Sequence, residues 1–387
     1  MRKRIVILGA TGSIGESAQK VTRALPDTIE IVGISAHRNA DALVAAAREF
    51  HVPHVCLADP VLQPEWQDQL PADCRALEGE CGLVELATLP EAELVLIAIV
   101  GTSGLRPALA AIRAGKDIAV ASKEILVMAG EIIMAEAKKF GVRVLPVDSE
   151  HNAIFQCLEG RDPAEVKRLI LTCSGGPCRQ VPAHQLASVR PEDALRHPTW
   201  SMGRKISIDS ATLFNKGLEM IEARWLFDIP MDRIDVIIHP QSIVHSMVEF
   251  IDGSQLAQLS QSDMAFPIQY AVTWPTRVAG ALTPLDLTQV GKLEFETPRV
   301  DDFPALGIAR DAGARGGTLP AVLNAANEAA VDAFLHGQIN FPEIWQLVAA
   351  AMEAHDVIDH PDLDALFIAD AWARGFVTLA IQGISKS

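Results

Sequence analysis

The chain has 387 residues, 49% of them hydrophobic, and a formal net charge of -16. It is longer than one hydrophobic core usually organises, so two or three packed domains are expected, and its apolar content excludes a largely disordered polymer. The negative balance argues against nonspecific binding to nucleic acid or to an anionic membrane, and points to a small molecule as partner.

Met1 to Arg4 is basic and precedes "IVIL", but glycines and polar residues break the run too soon for an export signal. No apolar stretch approaches the roughly 20 residues of a membrane helix, so a cytoplasmic protein is expected. Cys56, Cys74, Cys81, Cys157, Cys173 and Cys178 show no paired spacing and read as idle thiols rather than a zinc or redox site.

"RIVILGATGSIGESAQKVTRAL" reads as a buried strand, a glycine turn and a helix, with Gly9, Gly12 and Gly15 in a variant dinucleotide fingerprint. Glycines let the backbone approach a pyrophosphate, while Thr11, Ser13 and the first helical amides supply donors. The plain alternative is a glycine turn with no ligand. The next strand, "IEIVGISA", is followed by His37, Arg38 and Asn39. A guanidinium with no carboxylate beside it suits a 2'-phosphate, which favours NADPH over NADH. Arg38 as an ordinary solvated charge is the other reading.

"LVLIAIVGTSG", "DIAVASKE" and "VRVLPVDSE" continue the strands, separated by the helical patterns "RPALAAIRAG" and "EILVMAGEIIMAEAKKFG". This alternation predicts a parallel, doubly wound sheet whose ligands gather at the carboxyl ends of the strands. Lys123 and the cluster Asp148, Ser149, Glu150, His151 fall at such ends. An extended backbone would point Asp148 and Glu150 the same way, as ligands of one cation.

"ISIDSATLFNKGLEMIEARWLF" predicts a helix from near Ser210 past Glu219, with Asn215, Lys216 and Glu219 on one face. Three carboxylates without a His or Cys pattern favour a hard ion, Mg2+ or Mn2+. Surface charge shared with Glu222 and Arg224 is the bland alternative for Glu219. Ser210, Asn215 and Lys216 make a candidate phosphate cradle, and "LTCSGGPC" brings Ser174 with two glycines. The stretch from His197 to Arg204, with Trp200 and Gly203, reads as a lid or as a surface loop with a half-buried Trp.

"GATGSIG", "AIVGTSGL", "VASKE", "PVDSEHNAIFQCL", "SGGP", "HPTWSMGRKISIDSATLFNKGLEMIEA", "IHPQSIVHSMVEFIDGS" and "LNAANEAAVDAFL" together resemble the 1-deoxy-D-xylulose 5-phosphate reductoisomerase family. The resemblance runs from Ile5 to about Phe341. It implies an NADP-dependent oxidoreductase of the non-mevalonate isoprenoid pathway that rearranges 1-deoxy-D-xylulose 5-phosphate and reduces it to 2-C-methyl-D-erythritol 4-phosphate. It further implies a divalent metal, Mn2+ or Mg2+, on Asp148, Glu150 and Glu219; catalysis by these with Lys123 and His197; and substrate contacts at Lys123, Ser149, Glu150, Ser174, His197, Ser210, Asn215, Lys216 and Glu219. The cofactor positions it implies are Thr11, Gly12, Ser13, Ile14, His37, Arg38, Asn39, Ser122, Glu124 and Gly203. His37 and Ser122 depart from the family, which usually has Gly and Asn there.

The expected architecture is α/β: an N-terminal Rossmann-like parallel sheet at 1–148, and a central α+β catalytic domain at 149–284 with a lid near 195–206. A linker at 285–310 and a C-terminal helical bundle at 311–387 follow. "DVIIHP", "SIVHSMVEF" and "SQLAQL" predict strands around an Asp252-Gly253 turn, and the resemblance implies that their sheet serves a homodimer. His245 is left outside the predicted site. Two rival readings are a metal-independent NADP dehydrogenase of homoserine or semialdehyde type and a nucleotide-sensing regulator without catalysis.

Overall fold

A computed structural model describes residues 2–59, 65–200 and 202–384. Residues 60–64 of the expected nucleotide domain, Ser201 of the expected lid, and the chain ends at Met1 and 385–387 lie outside the described residues. Packing divides the chain into two units. The first holds the described residues through Ile125, with Ile133–Asn152 and Asp263–Pro284; the second holds Leu126–Ile132, Ala153–Ser262 and the described residues from Leu285 onward.

The first unit is built on β1 (Lys3–Leu8), β2 (Ile29–Ala36), β3 (His54–Leu57), β4 (Arg75–Glu78), β5 (Leu94–Ile97), β6 (Asp117–Val120) and β7 (Val144–Pro146). Their order is β4-β3-β2-β1-β5-β6-β7, and every pairing is parallel. Ile5 to Leu8 and Leu94 to Ile97 are all but fully buried. Continuous apolar runs of this kind, rather than alternating ones, are what a sheet covered on both faces requires. The winding reverses at β1 and β5, so the carboxyl ends there open the crevice in which such sheets bind ligands. β3 and β4 extend the sheet beyond the strands read from sequence.

The Asp263–Pro284 segment packs in the same unit. Lys20 Nζ lies 2.6 Å from Asp263, and the buried Asn152 side chain donates to the carbonyls of Pro146 (2.9 Å) and Pro267 (3.2 Å). These bonds tie the end of β7 to the helix Ala265–Thr273.

The second unit carries β8 (Val166–Cys173), β9 (Ile234–Ile238), β10 (Val244–Phe250) and β11 (Gln255–Leu259), ordered β11-β10-β8-β9. β8 and β9 are parallel, while β10 runs against both β8 and β11. Gly253, at φ +86, turns the chain between β10 and β11, and Asp252 Oδ1 accepts the Ser254 amide at 2.9 Å. Helices Ala305–Arg315, Leu319–Leu335, Glu343–Ala354 and Leu363–Ile384 supply the helical layer expected from the alanine-rich tail. Phe334 and Phe341 meet edge to face at 5.6 Å within its core. Among residues 285–304, the helix Leu287–Val290 and a bridge from Glu296 to Ile238 are the regular pieces, so this stretch is more tied down than a free linker.

Candidate active site

The glycine turn forms as its spacing predicts. Gly9 adopts φ +94, and a Cβ there would stand 2.5 Å from the Ala98 carbonyl oxygen; a Cβ on Gly15 would meet backbone of Gly9 and Ala10 at 2.4 Å. Both positions therefore need glycine, one for backbone conformation and both for close approach. Gly12 is the N-cap of the helix Ser13–Ala24, with no side-chain cap on its amides, and Thr11 to Ile14 are half-buried or exposed. Helix-start amides with no side-chain cap, beside an open turn, are what a pyrophosphate would use.

At the end of β2, His37, Arg38 and Asn39 are exposed, and Asn39 Oδ1 accepts the Ala42 amide at 3.1 Å as a helix cap. Arg38 Nε donates to Asp59 Oδ2 at 2.7 Å. The expectation of a guanidinium with no carboxylate beside it is thereby corrected. Asp59 follows β3, a neighbouring strand absent from the sequence reading, and a phosphate would use the Nη edge that this bond leaves. Ser122, 4% exposed, donates to Gly101 O at 2.9 Å and to Glu124 Oε2 at 3.3 Å.

Lys123, at the start of the helix Lys123–Phe140, lies 2.5 Å from Asp148 Oδ2, and both side chains are largely withdrawn from water. Ser149 Oγ donates to Glu150 Oε2 at 2.6 Å. The backbone here is not extended: Ser149–Leu158 is a helix, Glu150 lies in its first turn, and Asp148 O accepts the Asn152 amide at 2.8 Å. The argument from alternating strand directions fails for Asp148 and Glu150. β7 ends at Pro146, and helical hydrogen bonding begins as soon as the chain leaves the sheet.

In the second unit the predicted single helix is two. Arg204–Thr212 ends at Leu213, whose φ of +67 breaks the run, and Phe214–Phe227 starts afresh. Ser210 thus closes the first helix, while Asn215 and Lys216 open the second. Asn215 Nδ2 donates to Glu219 Oε1 at 2.5 Å and Lys216 Nζ to Glu219 Oε2, so the predicted shared face is real. Glu219 and Glu222 are 1% and 0% exposed, which overturns the surface-charge alternative.

Ser174 follows β8, and its Oγ lies 2.8 Å from His197 Nε2. Gly176, at φ +68, presses on the C-terminal end of the Ser210 helix: a Cβ there would meet Ser210 O at 2.4 Å. Ser174, Gly176 and Ser210 are therefore packed as one group, and sequence reading missed the part of Gly176 in it. Gly203 caps the Arg204–Thr212 helix with open space where its side chain would be. Burial lowers the His197 pKa to about 4. His245, also lowered to about 4 by burial, has Nε2 3.3 Å from Ser260 O. His151, named in the sequence as part of the cluster after β7 but given no role there, is 0% exposed.

A doubly wound parallel sheet with a glycine turn, and a buried acid–ammonium pair, Lys123 and Asp148, at its carboxyl end, define a dinucleotide-dependent α/β enzyme. Comparison with known proteins narrows the class. The family model for 1-deoxy-D-xylulose 5-phosphate reductoisomerase matches residues 5–130, its C-terminal domain residues 144–227, and a further DXP reductoisomerase C-terminal domain residues 259–376. The 1-deoxy-D-xylulose 5-phosphate reductoisomerase of Symbiobacterium thermophilum is 51% identical over 379 residues, 97% of each chain. One from Bacillus cereus is 48% identical over 376 residues, 97% of this chain and 98% of that one. The Zymomonas mobilis enzyme in complex with NADPH superposes with a TM-score of 0.93 at 41% identity, covering 98% of this chain and 99% of that one. A DOX-P reductoisomerase in complex with NADPH, fosmidomycin and magnesium gives 0.94 at 40%, covering both chains fully. The chain belongs to the 1-deoxy-D-xylulose 5-phosphate reductoisomerase family.

Proposed function

We propose that the protein rearranges 1-deoxy-D-xylulose 5-phosphate and reduces the product to 2-C-methyl-D-erythritol 4-phosphate with NADPH, as a step of isoprenoid precursor synthesis. The observation that carries this reading is that Asp148 and Glu219 are both withdrawn from water and both held by an ammonium group, Lys123 and Lys216. Buried carboxylates need positive charge close by, and an all-oxygen donor set with ammonium stand-ins fits a hard divalent ion. Asp148, Glu150 and Glu219 would hold Mg2+ or Mn2+. Such an ion, when bound, supplies charge stabilisation to oxygens that become negative as the ketose skeleton rearranges.

The remaining roles fall to the chain's own groups. Lys123 holds positive charge at the crevice and would donate to a substrate oxygen. Ser149 holds the Glu150 carboxylate, which is placed to move a hydroxyl proton. Ser174, Ser210, Asn215 and Lys216 offer hydroxyl, amide and ammonium donors to the phosphate, while His197, beside the lid, belongs with Lys123, Ser149 and Glu150 around the substrate's other polar groups. Thr11 to Ile14, His37 to Asn39, Ser122, Glu124 and Gly203 would seat NADPH, with Arg38 toward the 2'-phosphate.

The test is NADPH consumption with the sugar phosphate, with and without Mn2+ or Mg2+, repeated with NADH. Turnover that stops on chelation is expected; full activity in chelator would reject the metal role. The dehydrogenase alternative predicts no metal requirement and is not favoured, since family models and relatives match nearly the whole chain. A homodimer is supported by the exposed edge strand β11 and its neighbour Ile251, 70% exposed. Light scattering of Leu256→Asp, expected to be monomeric, tests it. No helix of the described residues is long and apolar enough to cross a membrane; a cytoplasmic location is part of the same proposal.

A further inference from the structure

The lid stretch supplies an internal clue to the protonation of its histidine. His197 Nδ1 accepts the backbone amide of Trp200 at 2.9 Å and lies 3.3 Å from that of Thr199. A backbone N–H can only donate, so Nδ1 must present its lone pair, and a neutral imidazole then carries its one proton on Nε2. That nitrogen faces Ser174 Oγ at 2.8 Å. The same oxygen receives the Gly176 amide at 3.1 Å. With two donors pointing at it, Ser174 Oγ has both lone pairs engaged, and its own hydroxyl proton is left to point away from them.

We infer that His197 is a positioning residue of fixed tautomer: it donates through Nε2 to Ser174 and so turns the Ser174 hydroxyl proton outward, as a donor aimed at the substrate's phosphate. The inference rests on the reading of Ser174 as a phosphate contact and adds a direction to it. Burial that keeps the ring neutral agrees with the geometry. His197 therefore takes no proton at Nε2. It also joins two events, because the nitrogen that caps the Thr199–Trp200 turn of the lid fixes what the other nitrogen offers to Ser174.

The experiment uses the full-length protein and inorganic phosphate as probe. Nitrogen NMR of the labelled histidine ring should show Nε2 protonated and Nδ1 of the unprotonated type. Phosphate titrations then compare Ser174→Ala, His197→Asn and His197→Gln. An asparagine can keep the acceptor that caps the lid turn but has no donor at the Nε2 position, whereas a glutamine can place an amide N–H there. Ser174→Ala and His197→Asn should each weaken phosphate about tenfold, and His197→Gln should stay within about threefold of the unaltered protein. A proton on Nδ1, or equal losses in the Asn and Gln variants, overturns the tautomer assignment. Undiminished binding by Ser174→Ala would instead remove the phosphate contact beneath it.

Discussion

Glu219→Gln tests the site most directly, because it removes one charge and almost no volume. Glu219 is 1% exposed, its Oε1 accepts Asn215 at 2.5 Å, and its Oε2 meets Lys216, itself 2% exposed. Gln retains an oxygen for one of these donors and presents an amide N–H to the other. Breaking a buried pair costs roughly 3–5 kcal/mol, and the retained oxygen places this variant near the lower end, about 3 kcal/mol. The expected loss in turnover is separate from that cost. If the carboxylate helps hold an ion that stabilises the transition state by about 3–4 kcal/mol, kcat/KM should fall by roughly two to three orders of magnitude. Initial rates of NADPH oxidation across a magnesium titration, with NADPH binding followed by fluorescence, separate chemistry from unfolding. A variant that binds NADPH normally and turns over within tenfold of the unaltered enzyme would refute the assignment.

Three further outcomes are expected. Gly9→Ala should abolish measurable NADPH binding, because φ +94 and the Ala98 carbonyl at 2.5 Å leave no room for a methyl group; calorimetry checks it. Arg38→Ala should weaken NADPH about tenfold and leave NADH nearly unchanged, the loss of one charge-assisted contact to a 2'-phosphate; equal losses for both cofactors would remove Arg38 from that contact. His245, lowered to about 4 from an ordinary 6.5, binds its proton more weakly folded than unfolded. Its contribution is therefore fully present above pH 6.5 and is lost as pH falls from there toward 4, by about 3 kcal/mol in all. Urea midpoints at pH 7.5 and pH 5 should reveal part of that loss, and His245→Asn should reduce the pH dependence without abolishing it, because burial lowers His197 to about 4 as well.

Which parts of the site were legible follows from how far apart the deciding atoms lie. The first strand, glycine turn and helix are local, and each reads correctly because a buried β run, tight-turn glycines and a 3.6-residue apolar period are all short-range. The shared face of Asn215, Lys216 and Glu219 is equally local. Leu213 is not: a leucine at φ +67 is disfavoured by its own backbone, and only surrounding packing makes it hold, so the helix looked continuous. The strand reading of Asp148 to Glu150 failed nearby, where a chain leaving a sheet passes straight into a helix.

Composition and order of residues were enough to settle the class of sheet and the place of the glycine turn, since these depend on periodicity and on what single side chains can do. Tertiary structure alone decided that Lys123 meets Asp148, that Asp59 engages Arg38, that Glu219 and Glu222 are buried, and which nitrogen of His197 carries the proton. Each of those depends on groups distant in sequence or on loop hydrogen bonds, and chain folding, not local preference, brings them within bonding distance.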